Sequence, residues 1–167
     1  IEYIKGEIVG LQPALMVMEC GGVGYELNIS LTTYSTFDGL REGKIYVHEV
    51  IREDAHLLYG FASREERELF LLLTSVSGVG PNTARMILSS FKPSDLIDII
   101  ASGDDATLTA VKGIGNKTAQ RIVVDLKSKV RPVAGLDERR AAASRGSQTD
   151  TSEEAVAALV MLGFQKN

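Results

Sequence analysis

A lone cysteine, Cys20, has no partner for an internal disulfide. Stability must come from a packed core, and a cytoplasmic protein is the expectation. No apolar run reaches the roughly 18 residues that a membrane-spanning helix needs. The opening IEYIKGEIVG alternates like a strand, which is not the form of a signal peptide. Excess positive charge is missing too. The net charge is −4, which by itself argues against a nucleic-acid binder. Neither a Walker loop nor a Rossmann fingerprint occurs, and no acids or histidines cluster at metal-ligand spacing. No cofactor, no metal site and no catalytic residue are therefore expected.

What is there is a near-duplicate. Residues 75–88 read SVSGVGPNTARMIL, and residues 110–123 read AVKGIGNKTAQRIV. Val76, Gly78, Gly80, Thr83, Ala84 and Ile87 recur as Val111, Gly113, Gly115, Thr118, Ala119 and Ile122. Each copy reads as a helix end, a tight Gly-apolar-Gly turn and a new helix start. Such a turn bares backbone N–H groups at a helix N-terminus, a cradle for phosphate. A single copy is better read as an ordinary helix–helix turn. Two copies, each with cations nearby (Arg85 in the first, Lys117 and Arg121 in the second), shift the balance toward two phosphate tracks.

The charge is uneven. Residues 1–63 carry four basic and nine acidic side chains, and residues 64–130 carry nine basic and eight acidic. Nucleic acid would meet the middle segment. The first segment is β-rich, with strands expected over 3–9, 15–20, 25–29, 45–51 and 57–61, and a short helix or loop over 31–40. This suits a small Greek-key barrel of the OB type, with an SH3-like barrel as rival. At Ser63 the period changes. Ser63-x-x-Glu66 reads as a capping box. Five helices are expected, over 64–75, 81–91, 93–102, 105–111 and 116–129. Residues 131–150 read as a flexible linker too poor in large apolar groups to pack. Residues 151–163 read as one capped helix, marginal alone, so the chain is expected to be cut short.

Arg52-Glu53-Asp54-Ala55 falls between the last two expected strands. Adjacent acids at a hairpin tip are most simply a solvated turn. His48 and His56 flank it, and the simplest reading puts both on strand surfaces.

The paired turns resemble the tandem helix-hairpin-helix motif of DNA-binding proteins. Taken with REDAHLLYGF, SVSGVGP, VKGIGNKTAQRIV and the terminal SEEAVAALVMLGF, the whole chain resembles the RuvA family of Holliday-junction binders. The resemblance implies a multidomain α+β fold. An OB-fold barrel spans 1–63, an all-α tandem helix-hairpin-helix domain 64–130, a flexible linker 131–150, and the start of a UBA-like partner-binding helical domain 151–167. It implies that Gly78, Val79 and Gly80 offer N–H groups to one DNA strand, and Gly113, Ile114 and Gly115 to the other; Thr83 and Arg85 beside the first turn, and Lys117, Thr118 and Arg121 beside the second, are the further backbone contacts expected from the repeat. It makes Glu53 and Asp54 an acidic pin at the centre of the junction. It further implies a non-catalytic homotetramer, or octamer, acting in recombination, repair and the SOS response. The partners would be a RuvB-type ATPase and a RuvC-type resolvase. The chain departs from the family pattern at Asn82 and Asn116, where many relatives carry lysine; fewer phosphate contacts and a shallower salt dependence are expected.

Overall fold

The computed structural model describes residues 1–136. The terminal helix and most of the linker expected from the sequence lie outside the described residues.

Five strands close into a barrel: β1 (Tyr3–Gln12), β2 (Leu15–Cys20), β3 (Val23–Ile29), β4 (Glu42–Ile51) and β5 (His56–Phe61). Their order is β1-β2-β3-β5-β4, and β1 closes the ring on β4. Only β3 and β5 pair in parallel. This is the OB-type order, not that of the SH3-like rival. The first strand serves two neighbours. Tyr3 to Glu7 pair with β4, and Glu7 to Gln12 pair with β2. A bulge between Ile8 and Gly10 lets the strand bend between these tasks. Gly6 sits where the strands crowd: a Cβ there would stand 2.0 Å from the Glu19 carbonyl oxygen. Inward-facing Ile4, Met16, Met18, Leu27, Ile29, Ile45 and Val47 fill the barrel.

Between β3 and β4 lies α1 (Leu31–Phe37), capped by Ser30, whose side chain accepts from the Thr33 N–H. The barrel then gives way to α2 (Arg64–Thr74), α3 (Pro81–Ser90), α4 (Pro93–Ser102), α5 (Asp105–Leu108) and α6 (Asn116–Leu126). Barrel and helices form one compact unit over residues 1–136. The two halves share a seam. Phe70 of α2 is fully buried, with its ring 5.0 Å from Tyr59 and 4.9 Å from Phe61. His48, read from the sequence as a surface residue, is half-buried on the same seam, 5.8 Å from Phe70. Burial, helped by Arg67, holds its imidazole below the ordinary range.

The capping box at α2 is only half formed. Ser63 accepts from the Glu66 N–H at 3.0 Å. The Glu66 carboxylate, however, turns into the seam, where it accepts from Ser30, Thr33 and the Ala62 N–H. Four of the five helices end earlier than the pattern suggested. The fifth stops at Leu108 because residues 108–114 form the turn of the second hairpin. The chain after α6 is not loose at once. Arg131–Val133 form a 3₁₀ turn, and Val133 is buried against the helices. Val133 and Leu136 on the helical core, with the Gly135 N–H donating to Glu65 Oε1 at 3.3 Å, hold the first linker residues down, a signal that composition averages away.

Candidate nucleic-acid interface

The two hairpins share one geometry. In the first, Val76, Ser77, Gly78 and Val79 form a turn closed by the Val79 N–H donating to the Val76 carbonyl at 3.0 Å. In the second, the Ile114 N–H donates to the Val111 carbonyl at 3.1 Å. The third residue of each turn needs a positive φ, and glycine supplies it: +94° at Gly78 and +91° at Gly113. Gly80 then caps α3 at φ −85°, ψ 170°, and Gly115 caps α6 at φ −88°, ψ 166°.

Val79 and Ile114 correct the expectation placed on them. Their N–H groups are spent inside the turns, and their side chains are 4% and 5% exposed, plugged into the helical core. They hold the cradle in place and offer it no donor. The donors are the amides around them. Helix geometry leaves the N-cap and first-turn N–H groups without intrahelical acceptors. Neither helix has a side-chain cap, and the first backbone bonds run from Ala84 to Gly80 and from Ala119 to Gly115. Gly78, Gly80, Asn82 and Thr83 thus find no backbone acceptor among the described residues in the first hairpin. Gly113, Gly115, Asn116, Lys117 and Thr118 likewise find none in the second. The first offers fewer donors because Pro81 has no N–H.

Gly80 and Gly115 carry a further message. Their dihedrals suit any residue, and a Cβ built on either meets nothing within 4 Å. Folding therefore does not demand glycine there. Side chains with a capping oxygen would cap the helices better. An outside surface that must approach the backbone closely does demand it.

The expected cations divide. Lys117 is exposed and forms no ion pair among the described residues. Arg85 is turned inward: its Nη1 donates to the carbonyls of Ala14 (3.2 Å) and Ile29 (3.4 Å), tying α3 to the barrel. Its place beside the first turn in sequence hid this, since its side chain bonds barrel carbonyls far away along the chain. Arg121 Nη1 donates to the Ser77 carbonyl, in the other hairpin, at 3.3 Å. Thr83 and Thr118 are half-buried at equivalent places in the first turns of α3 and α6.

Sequence reasoning missed Lys112, exposed in the second turn at the position that Ser77 holds in the first. Setting the two copies side by side would have found it. Glu53 and Asp54 stand exposed at the tip of the β4–β5 hairpin, closed by the Arg52 N–H donating to the Ala55 carbonyl at 2.8 Å. At its base His56 Nε2 and Glu49 Oε2 lie 2.9 Å apart. No partner among the described residues neutralises the two tip carboxylates. No group of three or more described His, Cys, Asp or Glu residues converges as a metal site. No helix among the described residues is long and apolar enough to cross a membrane.

Known proteins match both segments in sequence. Residues 1–60 match the RuvA N terminal domain, and residues 70–128 match the SAM-like helix-hairpin-helix tandem. A Holliday junction branch migration complex subunit RuvA from Parabacteroides distasonis is 68% identical, over 99% of this chain and 84% of that protein. The proteins of the same description from Porphyromonas gingivalis and Bacteroides thetaiotaomicron are 57% and 52% identical, each over 98% of this chain and 84% of their own length. With the first match lying on the barrel and the second on the hairpin pair, and with identity this high along both, the chain belongs to the RuvA family.

Proposed function

We propose that this chain binds four-way junction DNA by shape and backbone, with little regard for base sequence. The carrying observation is the pair of exposed glycine caps, Gly80 and Gly115, where the fold leaves room for a side chain and the sequence places none. Each cap lies among amides with no backbone acceptor among the described residues, at the positive end of a helix dipole, which favours a phosphate. Two such caps in one domain match two strands of a duplex arm. Contacts of this kind position a protein on DNA without reading bases.

The net negative charge fits this reading. Attraction is local to the hairpins, and the exposed Glu53 and Asp54 supply repulsion elsewhere. In a homotetramer the paired acids of four copies would meet at the crossover. Unit charges 4 Å apart interact by about 1 kcal/mol in water and about 4 kcal/mol at an effective dielectric of 20. Several such terms favour an open, square junction over a folded one. The chain then serves as the DNA-holding subunit of a branch-migration complex, and a RuvB-type ATPase supplies the work. That ATPase would be contacted through the C-terminal segment 151–167, and a RuvC-type resolvase would reach the held junction. Catalysis belongs to these partners.

A gel shift comparing a four-way junction with a linear duplex of the same arm sequence tests the proposal. Preferential junction binding, insensitive to arm sequence, is expected. Equal binding to both, or none to either, contradicts it. Cleavage of the junction in the presence of Mg²⁺ would replace it with a nuclease.

A further inference from the structure

The two hairpins are alike in backbone and unlike in charge. The second has Lys112 in its turn and Lys117 at the start of its helix, both exposed and without ion pairs among the described residues. The first has Ser77 and Asn82 at those positions, and Pro81 removes one amide donor. Its one nearby cation in sequence, Arg85, is committed to the barrel carbonyls of Ala14 and Ile29. By its own residues the first cradle is neutral.

We propose that Arg121, although it stands on the helix of the second hairpin, supplies the cation for the phosphate held by the first; the assignment rests on the DNA-binding reading above. Its Nη1 donates to the Ser77 carbonyl at 3.3 Å, next to Gly78. Ser77 is the positional twin of Lys112. The guanidinium at Ser77 therefore restores to the first cradle the charge that Lys112 gives the second. A guanidinium has five N–H donors in a planar fork. One on Ser77 leaves the others for a phosphate oxygen, and the Ser77 bond fixes their direction. The same bond fastens the turn of one hairpin to the helix of the other, so the spacing of the two cradles is set by the group that serves the first.

A mutant cycle assigns the cation to its cradle. Gly80→Asn and Gly115→Asn each block one cradle with a side chain, and asparagine is a favourable N-cap, so folding is retained and is checked by thermal melting. Arg121→Gln is made alone and in each blocked background, and the dissociation constant for a four-way junction is read by fluorescence anisotropy at fixed salt. A charged hydrogen bond to phosphate corresponds to about a tenfold or larger loss. The expected result is about a tenfold weakening by Arg121→Gln in the parent and in Gly115→Asn, and less than about a twofold change in Gly80→Asn. A loss that persists in Gly80→Asn and vanishes in Gly115→Asn assigns Arg121 to its own hairpin and overturns the inference. A loss of equal size in both blocked backgrounds overturns it as well, since Arg121 then acts outside the cradles. If neither Asn substitution weakens binding, the cradle reading itself falls, and the inference with it.

Discussion

Glu66 of α2 accepts a hydrogen bond from Ser30, the N-cap of α1, at 2.5 Å. The same carboxylate accepts from Thr33 Oγ1 at 2.7 Å and from the Ala62 N–H at 3.0 Å. It is 1% exposed, and it joins the barrel to the first helix of the hairpin domain. Burial raises its pKa above the usual 4.5, and the bonds from Ser30, Thr33 and Ala62 oppose that rise.

A carboxyl raised in the fold holds its proton more tightly there than in the unfolded chain. Its contribution is complete below 4.5 and is lost as pH climbs through the higher folded value. Glu66→Gln cannot ionise. The parent's melting temperature should therefore fall relative to Glu66→Gln as pH rises from 4.5 through that window. Parallel curves would show that Glu66 does not titrate differently in the fold. Glu66→Ala strands the Ser30 and Thr33 hydroxyls, while the Ala62 N–H keeps Thr33 Oγ1 as acceptor, and should be destabilised at every pH, by about 1–3 kcal/mol per donor left unpaired.

Phe70 is the apolar counterpart of this joint. Phe70→Ala removes a fully buried ring from between Tyr59 and Phe61 and should cost about 3–5 kcal/mol. Barrel and helices share that seam, so urea unfolding should stay a single transition with a lower midpoint. Two separated transitions would show that the halves fold independently.

Arg85 and Lys117 should part ways. Arg85→Ala is expected to lower stability, because α3 loses its tie to Ala14 and Ile29, while the salt dependence of junction binding keeps its slope. Lys117→Ala should leave the melting temperature within a degree or two. It should reduce the slope of log K against log salt by about 0.9. Titrations of both variants at several salt concentrations check the pair; exchanged outcomes would make Arg85 the phosphate contact and Lys117 the structural tie.

The acidic tip is expected to repel DNA. Glu53→Gln with Asp54→Asn should keep or tighten junction binding while disturbing the open, square form, read by fluorescence transfer between labelled arms. A collapse of affinity would mean that the acids attract something, a bound cation for instance.

Much of this was legible before any fold was known. The duplicate fixed both turns, because only glycine serves at the position of Gly78 and of Gly113. Alternation gave the five strands, and the switch at Ser63 gave the start of α2. What stayed hidden was the direction of side chains. Arg85, Arg121 and Glu66 all look local in sequence, yet each bonds a residue 33 or more positions away. Periodicity reports which face of a helix is apolar and is silent on where a polar group on the other face finds its partner. The amides of Val79 and Ile114 failed for a related reason: the bond that closes a tight turn uses the donor that the turn seems to present.

The most direct test is the double substitution Gly80→Asp with Gly115→Asp. Aspartate caps a helix well, and neither site crowds a Cβ, so the melting temperature should hold or rise. The same side chains fill both cradles and repel phosphate. Junction affinity should fall by at least about 100-fold, if each cradle supplies roughly 1.5–3 kcal/mol. A folded double variant that binds the junction as tightly as the parent would contradict the account.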